Sequence, residues 1–170
     1  MSSEIVLTVA ELADAIGGTL HGDVKQDSIV SLGPRRVAIH SGQIEPGAIF
    51  LALAGKSDGH LWVSDALKHG ALFAVVSNSW QAPSNSLPLL RVADPLRALQ
   101  TLAQWYRQQL RCEVVAVAGS LGKTTTKDAL VAFLNEFAFC YGSPGSFNSQ
   151  IGVPLSMLWC PPDAEMAVIE

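Results

Sequence analysis

Long apolar runs, basic clusters and paired cysteines are missing from this sequence, and each absence removes a class of function. No stretch approaches the ~18 apolar residues that a membrane-spanning helix needs, and Met1-Ser2-Ser3-Glu4 has no positive segment leading into an apolar one. Membrane insertion and secretion are therefore not expected, and a cytoplasmic location is. Lys and Arg total 11 against 15 Asp and Glu, a net charge of −4. These cations are scattered, which argues against nucleic acid, because binding a phosphate backbone takes clustered Lys and Arg. Cys112, Cys140 and Cys160 stand far apart, with no C-x-x-C pair and no histidine at ligand spacing, so neither a zinc site nor a disulfide framework is indicated. Charge is scarce as well, at 15% beside 49% apolar over 170 residues. That composition excludes disorder and suffices for one good domain or two small ones.

What is present centres on residues 114–130, V-V-A-V-A-G-S-L-G-K-T-T-T-K-D-A-L. An apolar run stops at Gly119-Ser120-Leu121-Gly122, and Lys123-Thr124 opens a segment with helical spacing. This order of strand, tight turn and helix builds a phosphate cradle: glycines let successive N–H groups face one concavity, and the helix N-terminus adds its partial positive charge there. Lys123 would reach the β- and γ-phosphates and act on the transferred group, with Gly119, Ser120, Leu121, Gly122, Thr124 and Thr125 lining the nucleotide. The Thr124 hydroxyl would ligate Mg²⁺. Val117 occupies the place of the first glycine of G-x-x-x-x-G-K-[ST], which leaves the shorter G-x-x-G-K-T form. The plainer account is a strand meeting a helix through a Gly-rich turn.

Elsewhere the pattern alternates helices and strands. Thr8 and Glu11 stand in capping-box relation ahead of Leu12, Ala15 and Ile16, and Gly17-Gly18 ends that helix before a strand at 19–21. Residues 28–77 read as mixed α and β: an apolar stretch at 29–32, a Glu45-Pro46-Gly47 turn, a strand over 49–54, a loop at 55–60, a helix near 61–69 and a strand over 71–76. The Ser-, Asn- and Pro-rich residues 78–88 read as a linker, which places a domain boundary between 82 and 83. Asp94 then caps a helix with Pro95 at its first position, and Leu96, Leu99, Leu102, Ala103, Tyr106 and Leu110 form its buried face. Trp105 and Tyr106 read as packing, since no cations interleave with them as in nucleic-acid grooves. His21 and His40 read as surface or turn histidines.

Beyond the phosphate turn, Ala129, Leu130, Phe133, Leu134 and Phe137 mark the expected buried stripe of the second helix. A strand over 139–141 leads into a polar loop at 142–150, where Asn148 and Gln150 fit either turn chemistry or ligand contact at the carboxyl edge of a sheet. A short helix over 154–159 and a buried strand over 164–169 follow, ending in Glu170. A phosphate-loop enzyme takes a carboxylate from a neighbouring strand for the Mg²⁺ that its Thr also touches, and Glu170 is placed for that. A carboxylate that merely solvates a strand end is the alternative.

Taken together, these blocks resemble the Mur ligase family over nearly the whole chain. The first half carries Pro46-Gly47, Phe50-Leu51-Ala52-Leu53, Gly55, Asp58-Gly59-His60, Ala66 and Gly70-Ala71. The second carries Gly119-Ser120-Leu121-Gly122-Lys123-Thr124-Thr125-Thr126-Lys127, whose trailing Lys is similar to the branch that adds D-alanyl-D-alanine. The run from Phe147 through Asn148-Ser149-Gln150 to Leu155, and the closing strand with Glu170, also match.

The resemblance implies an α/β fold: a small mixed α/β N-terminal domain for a UDP-linked substrate (1–82), then the first part of a P-loop parallel-sheet ATPase domain (83–170). It implies ATP and Mg²⁺, with Thr124 and Glu170 on the metal, and as substrates a UDP-linked muramoyl peptide and D-alanyl-D-alanine. ATP would phosphorylate a carboxylate, and an amine would then displace phosphate from the acyl-phosphate, with no covalent enzyme intermediate. Where the family has Asp-Ser-Arg for the uridine nucleotide, this chain has His40-Ser41-Gly42, so only Ser41 carries over as a substrate contact. Where the family has Asn-Asn-Glu, it has Asn148-Ser149-Gln150, from which Asn148 and Ser149 are the candidates. The chain reads as a monomeric piece of a longer ligase, binding nucleotide weakly and not ligating by itself. The alternatives are a non-catalytic module of the same family, a folylpolyglutamate-synthase-like or other Mur ligase, and a simple P-loop ATPase or kinase.

Overall fold

Thr8 ends one element and starts the next. It closes strand β1 (Ile5–Thr8), and its hydroxyl accepts from Glu11 N at 3.2 Å while the Glu11 carboxylate accepts from Thr8 N at 2.7 Å. Two of the free N–H groups at the start of helix α1 (Val9–Ile16) are satisfied in this way, and the helix turns Val9, Leu12, Ala13 and Ile16 inward. The structure, a computed structural model, describes residues 4–55 and 57–170. The expectations that touch residues 1–3, and Lys56 in the 55–60 loop, lie outside the described residues.

The first half then lays down β2 (Thr19–His21), β3 (Ile29–Leu32), β4 (Val37–Ala38), β5 (Ile49–Leu51), α2 (Val63–Lys68), β6 (Phe73–Ser77) and β7 (Leu89–Val92). Single 3₁₀ turns sit at Ser41–Gln43 and Gly59–Trp62. β1 and β3 form an antiparallel pair, and the others form one sheet in the order β2-β7-β6-β5-β4, parallel from β7 to β4 with β2 antiparallel at the edge. β5 and β6 are buried on both faces, as parallel strands covered by helices are. Ile49 and Leu51 point to the side of α1, whereas Phe50 joins Val63 and Ala66 of α2 on the other, the period-2 alternation of a strand.

The second half is α3 (Pro95–Gln109), β8 (Glu113–Ala116), α4 (Lys123–Leu134), β9 (Cys140–Gly142), α5 (Gly152–Leu158) and β10 (Met166–Ile169). Its sheet is wholly parallel, β8-β10-β9. The Asp94 carboxylate caps α3 by accepting from the N–H groups of Leu96 and Arg97, with Pro95 next in line. The two halves share one core: α3 packs against both α1 and α5, the Tyr106 hydroxyl donates to the Cys160 carbonyl at 2.7 Å, and the Trp159 indole N–H donates to Val37 O at 2.9 Å.

Two expectations change. Residues 78–88 do form a loop, but β7 follows it and hydrogen-bonds between β6 and β2, so the boundary expected at 82/83 falls inside the first sheet. Turn-forming composition identifies a loop, not whether that loop leaves the domain. The apolar stripe of α4 is also not buried: Phe133 and Phe137 are 62% and 75% exposed, and their rings meet edge-to-face at 5.3 Å. α4 lies on β9 and β10 by its opposite side, where Val131 touches Gly142, and Lys127 is its one fully buried residue.

Candidate functional site

Strand β8 stops at Ala116 and the chain turns through 117–122 before α4. Gly119 (φ +156°) and Gly122 (φ +75°) hold backbone conformations that a side chain would strain. Gly122 is the N-cap, and no side chain caps this helix. Its leading N–H groups therefore face the concavity without a side-chain partner, in the arrangement that receives phosphate oxygens. Ser120, Leu121 and Thr125 are exposed around it. Lys123 folds back and donates from Nζ to Gly119 O at 2.8 Å.

Strand β10 brings Glu170 to the same place. The Thr124 hydroxyl donates to Glu170 Oε2 at 2.7 Å, the Asn148 side-chain amide donates to Oε1 at 2.9 Å, and Glu170 N donates to Ser143 Oγ at 3.1 Å. The Thr124 hydroxyl above all, then the Asn148 amide and the nearby Lys123 and Lys127 charges, hold the Glu170 carboxyl below the ordinary carboxylate value. It is thus an anion at neutral pH, only 8% exposed. A hydroxyl and a carboxylate side by side form an oxygen-only donor pair suited to a hard divalent cation, so the residues present fit Mg²⁺.

The other expected residues divide between this place and a second one. Ser149 lies in the same loop, where its hydroxyl oxygen accepts from Ile151 N and Gly152 N and so starts α5, leaving its O–H free to donate. Gln150 is exposed, and its main-chain carbonyl accepts from the Gln100 side-chain amide. Ser41 is not brought to the phosphate turn. It lies past the carboxyl end of β4, in a cleft of about 470 Å³ lined by His40, Gly42, Gly55, Trp62 and, from the second half, Ile151. Both places lie at the carboxyl ends of parallel strands, where open α/β sheets bind ligands, and the 143–152 loop reaches from one to the other.

Three findings were not foreseen. Lys127 is buried at 3% exposure beneath that loop. Its place one helical turn past Thr124 was the available signal. Ser143, the acceptor for Glu170 N, had none beyond lying in a turn. His60 of the Asp58-Gly59-His60 block bonds Asp58 Oδ1 through Nδ1 at 2.6 Å and accepts from Ser77 N at its other nitrogen at 3.0 Å. Both ring nitrogens are occupied in tying the turn to β6, a framework role. Of the surface histidines expected, His40 is exposed, whereas His21 stands in β2 with Nε2 enclosed and unpaired.

This geometry, a Gly-rich turn opening a helix beside a strand-end carboxylate, agrees with the comparisons. Residues 117–170 match the Mur ligase middle domain. The chain is similar to the UDP-N-acetylmuramoyl-tripeptide--D-alanyl-D-alanine ligase of Bacillus subtilis, at 35% identity over 164 residues, 96% of this chain and 35% of the relative. In structure it is similar to MurF from Acinetobacter baumannii, with a TM-score of 0.84 and 30% identity, covering 98% of this chain and 36% of the other. It also resembles the MurF ligase of Thermotoga maritima in complex with ADP, with a TM-score of 0.69 and 32% identity over 80% of this chain and 31% of that one. The chain therefore spans about a third of the length of the curated relatives it matches.

Proposed function

We propose that this chain supplies the nucleotide site and part of the sugar-nucleotide cleft of an ATP-dependent ligase that joins D-alanyl-D-alanine to a UDP-N-acetylmuramoyl tripeptide in peptidoglycan precursor synthesis. The observation that carries this reading is the convergence of Thr124 from α4 and Glu170 from β10 beside the Gly119–Gly122 turn. In this reading the N–H groups at the start of α4 and Lys123 hold the β- and γ-phosphates, Lys123 leaving Gly119 O to do so. Thr124 and Glu170 hold Mg²⁺, which when bound neutralises charge on the phosphates. The γ-phosphoryl passes to a peptide carboxylate and ADP departs; the dipeptide amine then attacks the acyl carbon and phosphate leaves.

The cleft at Ser41 receives the uridine nucleotide portion, and Ser149 and Asn148 contact substrate where the loop lies between the two places. A first unit ending with β7 and a second opening on α3 belong to this reading, as do a cytoplasmic location and a monomer. No helix among the described residues is long and apolar enough to cross a membrane.

The test is phosphate release by the full-length protein given Mg·ATP, the UDP-linked tripeptide and D-alanyl-D-alanine. Release should require all three, and Lys123→Ala should lower it on the order of 100-fold or more. Release that ignores the dipeptide would indicate a plain ATPase, and none under any condition a non-catalytic module.

A further inference from the structure

Lys127 is the most buried charged side chain among the described residues, and nothing in the proposed reaction uses it. Its ammonium has three N–H donors: two go to Ser143 O at 2.7 Å and Gly145 O at 3.0 Å, and Asp128 Oδ1 lies 3.1 Å away as an ion-pair partner. Asp128 is largely solvated, with its side chain 68% exposed, so the contacts that shape the interior are the two carbonyls. A buried ammonium is retained only where such acceptors replace its water. Those carbonyls belong to the turn between β9 and α5, which bends through Gly145 at φ +51°.

That turn is part of the nucleotide site. Ser143, whose carbonyl Lys127 holds, uses its own hydroxyl oxygen to accept Glu170 N, and three residues beyond Gly145 the Asn148 amide reaches Glu170 Oε1. Thr124, three residues before Lys127 on the same helical face, reaches Glu170 Oε2. One face of α4 therefore grips both the carboxylate and the loop that orients it.

We propose that Lys127 is a positioning residue, which fastens the 143–148 loop to α4 so that Asn148 and Glu170 stand opposite Thr124 in the geometry that a nucleotide-bound divalent cation requires. This rests on the reading of 119–124 as a nucleotide site. Partners that orient a metal-holding carboxylate typically change metal affinity on the order of 10- to 100-fold when removed. Lys127→Met keeps the side-chain length and deletes the charge, leaving the two carbonyls without their donor.

The experiment is a titration of the full-length protein with a fluorescent ADP analogue, with and without Mg²⁺, together with hydrogen exchange of residues 144–150. Lys127→Met should weaken Mg²⁺-dependent binding on the order of 10- to 100-fold, leave metal-free binding near that of the unsubstituted protein, and speed exchange in the loop. Lys127→Arg should recover most of the loss. Unchanged Mg²⁺-dependent affinity overturns the proposal, and so does an equal fall with and without metal, which would mark a purely structural lysine. Should Lys127→Met not fold, Asn148→Ala at an exposed position carries the same test: it must reproduce the metal-dependent loss, and its failure to do so removes the route by which Lys127 acts. An unsubstituted protein that binds no ADP analogue refutes the nucleotide-site reading itself.

Discussion

The carboxylate of Glu170 accepts the Thr124 hydroxyl and the Asn148 amide, and these donors, with two lysines nearby, hold its pKa below the ordinary 4.5. A group whose folded value is depressed contributes stability above its unfolded value, and loses it as pH falls through the folded one. The contribution of Glu170 to Mg²⁺-dependent nucleotide affinity, read as the ratio of the Glu170→Gln variant to the unsubstituted protein, should therefore be constant from neutral pH to about 5 and be lost only below the ordinary carboxylate range. Glu170→Gln preserves the shape and can hydrogen-bond Thr124 in the reverse sense, but it has no charge for the metal. It should raise the Mg²⁺ needed for half-saturation while leaving metal-free binding intact, as read by calorimetric titration at pH 7; an unchanged Mg²⁺ requirement would remove Glu170 from the metal site. The sequence made the Thr124–Glu170 pair legible because both stand at fixed places after apolar strands. Asn148 was legible only as one of two readings. Lys127 was not, because burial of a lysine depends on which carbonyls the fold brings over it, and those come from 16 and 18 residues away.

Helices α3 and α4 show what local signals can and cannot settle. For α3 the cap, the Pro at the first position and the apolar spacing all agree, and Ala98, Leu99, Leu102, Ala103 and Tyr106 are buried as one face. Asp94→Ala leaves two leading N–H groups without their acceptor and should cost about 1 kcal/mol of stability, measured by urea denaturation. A change indistinguishable from zero would mean that water replaces the cap at no cost. For α4 the same spacing named a stripe that lies exposed at Phe133 and Phe137. Periodicity identifies an apolar face but not whether an element covers it, and among the described residues none does. The strands that escaped notice, β1, β4 and β7, are 2 to 4 residues long, too short for alternation to show. β7 was hidden further because the loop before it read as the end of a domain.

At the scale of the whole molecule, the question is whether the two sheets behave as one unit. The first sheet and the second have separate strand orders, yet a single apolar cluster runs from Leu7 and Val30 through Leu99 and Tyr106 to Leu158 and Ile169. Tyr106 lies at its middle, fully buried, with burial raising its pKa so that the hydroxyl remains protonated and donates to Cys160 O at 2.7 Å. That bond ties α3, which packs on α1 of the first half, to the chain leaving α5 in the second. Tyr106→Phe removes only the hydroxyl, so it leaves the packing in place but strips a buried carbonyl of its donor. The expected cost is about 1–3 kcal/mol. If the core is continuous, that cost is felt on both sides: urea transitions followed at Trp80, beside the first sheet, and at Trp159, beside the second, in single-tryptophan versions of the full-length protein, should shift together and by the same amount. Residues coupled through one cooperative unit unfold with coincident probes. A shift at Trp159 with none at Trp80 would show that α3 is a seam between two independently folding halves, and that the 143–152 loop reaches across that seam to line the cleft at Ser41.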